Sequence, residues 1–190
     1  MTKAIIGFAM CGSFCTFSKA LIQLKQLVES GYKVIPIMSF NAYTTDTRFG
    51  KAEDFIGKAE EITKEKVIAT INDAEPIGPK KMCDLIIVEP CTGNTLAKIA
   101  NGITDTPVTM AVKSHLRILR PVLIGVATND GLGASAQNIG KLLNTKNIYF
   151  VPMSQDDPEN KPNSLVAHFD LTQKAVEASL LHRQLQPVFA

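Results

Sequence analysis

Glu89-Pro90-Cys91-Thr92-Gly93-Asn94-Thr95-Leu96-Ala97-Lys98-Ile99-Ala100-Asn101-Gly102-Ile103-Thr104-Asp105 sets the fold class of this 190-residue chain. It follows the wholly apolar run Leu85-Ile86-Ile87-Val88, which suits a strand buried on both faces. Thr92 or Asn94 fits a helix N-cap, Leu96, Ile99, Ala100 and Ile103 recur at helical spacing, and Gly102 reads as the stop. A buried strand therefore ends in small hydroxyl, amide and glycine residues, which are poor core material. In an open α/β sheet that end of the strand is where ligands bind, so the stretch predicts a binding turn.

Upstream, Ala4-Ile5-Ile6-Gly7-Phe8-Ala9 predicts a first buried strand, followed by the loop 10–17 and a helix over 18–30. Leu21, Leu24, Leu27 and Val28 share that helix's apolar face, and Gly31 ends it. Strand, small-residue loop and helix offer backbone N–H groups and a helix terminus to a phosphate. Gly7 and Gly12 do not make the dinucleotide fingerprint, and no Gly-Lys-Ser/Thr follows. From the residues alone the loop is either an anion site or a tight turn. A second strand, 34–38, ends at Ser39-Phe40-Asn41-Ala42, again with polar groups at its carboxyl end. Beyond the polar segment 43–50 lies a helix over 51–66 with Phe55, Ile56, Ala59 and Ile62 inward; 71–81, with two prolines and a glycine, reads as a loop.

Downstream, a helix over 107–119 carries Val108, Ala111, Val112 and Leu116, with His115 read as a satisfied or exposed helix residue. A fourth strand, 121–127, ends at Thr128-Asn129-Asp130-Gly131, a helix over 135–143 follows, and 148–152 is a short fifth strand. Residues 152–168 are polar and proline-bearing, a lid or a plain solvated connection, and 169–185 predict a last amphipathic helix. The alternation predicts one domain over 1–190: a three-layer α/β/α, Rossmann-like parallel sheet of flavodoxin-like type.

Composition narrows the function classes. A 45% hydrophobic and 20% charged chain is ordinary for a globular domain, and a net charge of +2 with scattered Lys and Arg predicts no nucleic-acid partner. No apolar run reaches membrane-spanning length, and the N-terminal apolar segment is too short for a signal peptide; the expectation is a cytoplasmic protein. Cys11, Cys15, Cys83 and Cys91 lack zinc-ligand spacing, so they are expected to be free thiols with no metal site.

Together these motifs resemble the flavoproteins that include the cysteine decarboxylases, pantothenoylcysteine decarboxylase and the flavin prenyltransferases. That family's Pro-Ala-Ser-Ala-Asn-Thr, followed by Leu-Ala-Lys-Ile-Ala-x-Gly-x-x-Asp, stands here as the run from Pro90 to Asp105. Gly12-Ser13 matches its turn after strand one, and Ser39 and Ala42 match its Ser/Thr-x-x-Ala after strand two. The resemblance implies bound flavin mononucleotide (FMN), with Gly12, Ser13 and the backbone of Phe14 on the phosphate and Ser39 on the phosphate or ribityl chain. Thr92, Gly93, Asn94 and Thr95 would then line the flavin, with Asn94 near the reacting substrate. It also implies a homo-oligomer, trimer or dodecamer, with the flavin at an interface between copies of the chain.

The departures redirect the function. The decarboxylases place a histidine before the third strand; residues 72–84 contain none, and Pro76 stands about there. Their Pro-x-Met-Asn-x-x-Met-Trp is replaced by Thr128-Asn129-Asp130-Gly131, the chain has no Trp, and the prenyltransferases carry Lys where Asn94 stands. The phrases Gly7-Phe8-Ala9-Met10-Cys11-Gly12-Ser13-Phe14-Cys15-Thr16-Phe17 and Ala127-Thr128-Asn129-Asp130-Gly131-Leu132-Gly133 instead resemble a branch from spore-forming bacteria, over essentially the whole chain. That branch implies oxidation of a dihydropyridine dicarboxylate precursor in the mother cell of a sporulating bacterium, together with a separate partner protein that uses NAD(P). Asn94, Asn129 and Asp130 are then the candidate catalytic groups, and Arg48, Lys161 and the Lys80-Lys81 pair the candidate cations for the two carboxylates. Two alternatives stand beside it: a flavin-fold binding or scaffold component without chemistry, and a family decarboxylase with a displaced acid.

Overall fold

The structure, a computed structural model, describes residues 3–190; Met1 and Thr2, at the head of the segment read for a signal peptide, lie outside it. Five parallel strands form its centre: β1 (Ile5–Met10), β2 (Lys33–Met38), β3 (Leu85–Cys91), β4 (Val122–Thr128) and β5 (Ile148–Phe150). They lie in the order β2-β1-β3-β4-β5, the flavodoxin-like order whose switch point falls between β1 and β3. The crevice between those two carboxyl ends is where such a sheet takes its ligand, and it is where Gly12 and Thr92 emerge.

The connecting helices are α1 (Phe17–Glu29), α2 (Phe40–Thr44), α3 (Ala52–Thr63), α4 (Ile71–Ala74), α5 (Gly93–Ala100), α6 (Pro107–Leu116), α7 (Ala136–Leu143) and α8 (Thr172–Leu180). Alternate residues of the apolar strands feed two cores. Leu85 and Ile87 join Ile6, Phe8 and Leu123 under α1, α3 and α8, whereas Ile86 and Val88 join Ala9, Val122 and Ile124 under α5, α6 and α7. This two-sided burial is why the strands read as unbroken apolar runs.

Four expectations are corrected. The sheet is mixed, because β6 (Met153–Ser154) and β7 (Leu165–Ala167) add antiparallel strands, with Ala127 opposite Val166 and Thr128 opposite Leu165. β5 pairs with the first half of β4 and β7 with its last residues, so one strand edge is shared. Strands of two and three residues carry too little alternation to be read. The segment 71–81 is partly helical: Thr70 caps α4 by accepting from Asp73 N–H at 3.1 Å, and Pro76 sits at the start of a single 3-10 turn, where its missing N–H goes unneeded. His115 is neither satisfied nor exposed. It is fully buried, neither ring nitrogen has a hydrogen-bond partner among the described residues, and burial with the nearby Arg120 charge pushes its pKa down to about 4.

The last segment, read as one helix over 169–185, consists of a 3-10 turn at Phe169–Leu171, then α8, then a turn and an irregular tail. Gln184 pins that tail, accepting from Phe150 N–H at 2.8 Å and donating to its carbonyl at 2.7 Å.

Candidate functional site

A cleft of about 570 Å³ opens at the carboxyl ends of β1, β3 and β4, within the range that small-molecule sites occupy. Three strand ends and one hairpin build it.

After β1, Cys11 N–H still donates to Pro90 O at 3.1 Å, and Ser13 N–H turns back onto Cys11 O at 2.7 Å. Thr16 fastens this loop to α1, its N–H and hydroxyl reaching Ser13 O at 3.0 and 2.8 Å. Phe14 and Cys15 open the helical run, so their N–H groups have no acceptor within it. Both residues line the cleft.

At the end of β3 the pairing register shifts between Val88 and Cys91, a bulge of the sort that re-aims side chains beside sites. Thr92 caps α5, accepting from Thr95 N–H at 3.3 Å and donating to Thr95 Oγ1 at 3.2 Å. Gly93 and Asn94 occupy the first turn, with Asn94 exposed. The need for glycine at 93 is steric: a Cβ there would stand 2.6 Å from Ser135 Oγ, 2.7 Å from Asp130 Oδ1 and 2.8 Å from Thr128 Oγ1. Those three atoms belong to the turn after β4. Asp130 Oδ1 accepts from the hydroxyls of Thr128 and, at 2.9 Å, Ser135, while its carbonyl accepts from Gly133 and Ser135 N–H at 2.9 and 3.1 Å. The carboxylate is thus fixed in one orientation at the cleft wall. The β6–β7 hairpin closes the remaining side with Asp156, Lys161 and Ser164.

An adjoining cavity of about 430 Å³ shares Gly12, Thr92 and Asn94 with the cleft and extends toward α2. Ser39 and Thr95 line it. Ser39 caps α2 by accepting from Ala42 N–H at 3.3 Å, which leaves its hydroxyl proton free to donate. Of the predicted residues, Gly12, Ser13, Phe14, Thr92, Gly93, Asn94, Asn129 and Asp130 border the cleft itself, and Ser39 and Thr95 border its extension. Among the four candidate cations, Lys161 lines the cleft. Arg48 lies over the Phe49 ring at 4.9 Å, and Lys80 lines a separate depression with Asn72 and Pro76.

Sequence reasoning did not single out Asp156, Ser164 or Ser135. The first two lie inside the polar segment 152–168, and nothing in the residue pattern shows that Ser135 bonds Asp130.

Beneath the cleft floor lie groups sealed from it. Cys11 and Cys91 are buried, and burial raises their thiol pKa values, that of Cys11 to about 11; Cys15 is exposed on the cleft. Glu89 is fully buried on the opposite face of β3, with Thr172 Oγ1 at 3.0 and 2.9 Å from its two oxygens, and burial pushes its pKa up to about 8. None of the three histidines lines the cleft. Among the described residues no three His, Cys, Asp or Glu side chains gather as a metal ion requires, and no helix is long and apolar enough to cross a membrane.

The Flavoprotein family model matches residues 1–176. The chain belongs to the flavoprotein family. The B subunit of dipicolinate synthase from Bacillus subtilis (strain 168) is 45% identical over 183 residues, which span 96% of this chain and 92% of that protein. The crystal structure of the corresponding dipicolinate synthase chain from Bacillus halodurans C superposes with a TM-score of 0.91 at 44% identity, over 100% of this chain and 97% of the other. The Burkholderia xenovorans protein DmrB, crystallised in complex with FMN, shares the fold with a TM-score of 0.70 at 17% identity, over 94% and 96% of the two chains.

The residues present fit a flavin nucleotide. A phosphate needs converging N–H and hydroxyl donors, and the 12–14 loop, the start of α1 and Ser39 supply them. A Cβ on Gly12 would meet nothing nearer than the Phe14 ring at 3.5 Å, so that corner is open. A planar ring needs a wall of short side chains, which Thr92, Gly93 and Thr128 provide.

Proposed function

We propose that this chain is the FMN-binding component of a dipicolinate synthase, working with the enzyme's other, nicotinamide-dependent protein. Together they oxidise a dihydropyridine dicarboxylate precursor to the aromatic dicarboxylate in the mother-cell cytoplasm during sporulation. The observation that carries this reading is the 45% identity to the B subunit of dipicolinate synthase along almost the whole of both chains. The cleft supports it with a donor-rich end and an oriented carboxylate in one space.

Aromatising a dihydropyridine removes a hydride from a ring carbon and a proton from the ring. A bound FMN would supply a hydride acceptor, and oxidised NAD(P) on the partner protein would supply another. This chain's residues hold and orient. Gly12, Ser13 and the Phe14 N–H bind the phosphate, Ser39 donates to the phosphate or ribityl chain, and Thr92, Gly93, Asn94 and Thr95 line the flavin. Asn94 and Asn129 face the substrate ring, and Asp130, fixed by Thr128 and Ser135, receives the proton. Copies of the chain assemble as a trimer or dodecamer.

FMN titration of the purified chain, followed by visible absorbance, tests the cofactor; saturable binding with a shifted flavin spectrum is expected. Turnover by the nicotinamide-dependent partner with and without this chain tests the chemistry, and a full rate from the partner alone would overturn the catalytic role. One observation favours a second reading, a binding component without chemistry. No histidine lines the cleft, so Asp130 has no imidazole to share proton transfer with. A displaced-acid decarboxylase is the weaker alternative, because residues 72–84, where the family's decarboxylases place their histidine, contain none.

A further inference from the structure

Two lysines border the adjoining cavities, and they are engaged very differently. Lys98, on α5, donates to both oxygens of Asp105, at 2.8 and 2.9 Å, with its side chain 22% exposed. That pair ties α5 to the segment entering α6, so Lys98 is committed. Lys161, between β6 and β7, meets one oxygen of Asp156 at 2.9 Å with its side chain 55% exposed. An exposed single-contact pair contributes at most about 1 kcal/mol, so the ammonium exchanges partners readily. The backbone beneath it is tied to the cleft wall: Ser164 N–H donates to Lys161 O at 3.0 Å, and Leu132 N–H donates to Asn163 O at 2.9 Å. The hairpin thus holds Lys161 over the space bounded by Asn129 and Asp130.

The charges of the cleft sharpen the point. Among the described residues its lining carries two carboxylates, Asp130 and Asp156, and one cation, Lys161. A dicarboxylate entering beside Asp130 has a single countercharge available, and that charge is occupied by Asp156. We infer that Lys161 is the residue that selects a carboxylate-bearing substrate, releasing Asp156 and pairing with a carboxylate of the ring. This rests on the dicarboxylate reading above and names the group that enforces it.

The test is equilibrium binding to the full chain with FMN present, by calorimetry. Pyridine-2,6-dicarboxylate and its monocarboxylate counterpart pyridine-2-carboxylate serve as probes. Lys161→Gln is expected to weaken the dicarboxylate by about tenfold or more, as for loss of a charge-assisted hydrogen bond, and to weaken the monocarboxylate by a similar factor, because the lysine pairs with one carboxylate. Lys161→Arg retains most of the affinity, and Asp156→Asn, which frees the lysine, tightens it severalfold. FMN affinity and melting temperature stay at the wild-type values in all three. Equal dicarboxylate binding by wild type and Lys161→Gln overturns the role of Lys161 and leaves the substrate reading standing. Failure of the wild-type chain to bind the dicarboxylate overturns both. Weaker binding of FMN itself to Lys161→Gln would place the lysine on the cofactor and overturn the assignment to substrate.

Discussion

Two carboxyl groups in this fold are built from the same parts and stand in opposite surroundings. Asp130 stands at the cleft with the hydroxyls of Thr128 and Ser135 on one oxygen and Gly93 against it. Glu89 lies sealed under α8 with the hydroxyl of Thr172 across its two oxygens and Gly125 against it. Both glycines leave the space the carboxyl fills. The difference is water: Asp130 borders an open space, whereas Glu89 has none around it, and desolvation outweighs its one hydroxyl donor and favours its protonated form. Hydroxyl partners orient a carboxyl; burial decides whether it carries charge. The comparison places Asp130 at the border of an open cleft and Glu89 inside the fold.

Substitution at Gly125 should damage stability most. A Cβ would stand 2.5 Å from Glu89 Oε2 and 2.8 Å from its Cγ, inside a core with no room to yield. Gly125→Ala should lower unfolding stability by about 3 kcal/mol, combining overpacking with loss of the Thr172 hydrogen bond. The measurement is the denaturant midpoint, and FMN affinity of the folded fraction should change little. A midpoint equal to wild type would mean that Glu89 moves aside freely, and the sealed half of the comparison would fail.

Next comes the pH dependence that Glu89 imposes. Its folded pKa, about 8, lies above the ordinary 4.5, so between those values the folded state binds the proton and the unfolded state does not. Stability contributed by this group is therefore full below the lower value and falls as pH rises through the window, by a few kcal/mol. Glu89→Gln, which keeps an acceptor for Thr172 and cannot ionise, should flatten that slope. Denaturant midpoints at pH 6 and pH 9 decide it: equal slopes for the two proteins would show that Glu89 is not buried neutral.

At the open end, Gly93→Ala should cost about 1 kcal/mol of stability, because the first turn of α5 can shift toward the cleft. It should weaken FMN binding by more than tenfold, since Thr92 and Asn94 shift with it. Absorbance titration beside a thermal melt separates the two effects. Unchanged FMN affinity would detach Gly93 from the cofactor.

The legibility of these two places in the sequence differs for a physical reason. The end of β3 could be read because a continuous apolar run stops at Thr92-Gly93-Asn94, and a cap and a helix period follow within ten residues. The polar ends of β1, β2 and β4 could be read the same way, and the order in which they converge follows from the flavodoxin-like topology. The contact between Glu89 and Gly125 could not be read, because it lies across neighbouring strands and exists only once β3 and β4 pair. β6 and β7 are invisible for want of length, and with them the placement of Asp156, Lys161 and Ser164. His115 is misread because polar Ser114 and His115 sit on buried positions of α6, against the usual period.

Asp130→Asn should have the smallest effect on stability and the clearest effect on turnover. The amide oxygen can still accept from Thr128 and Ser135, so the turn keeps its hydrogen bonds and the melt should move by less than about 1 kcal/mol. What the amide cannot do is take a proton. If Asp130 receives the ring proton, turnover by the complex with the nicotinamide-dependent partner should fall by about a hundredfold or more, with FMN affinity unchanged. A loss recovered at higher pH would mean that solvent hydroxide replaces the carboxylate as base. Turnover at the wild-type rate would remove Asp130 from the chemistry. With no histidine in the cleft, it would also shift the balance to a chain that binds and presents while its partner reacts.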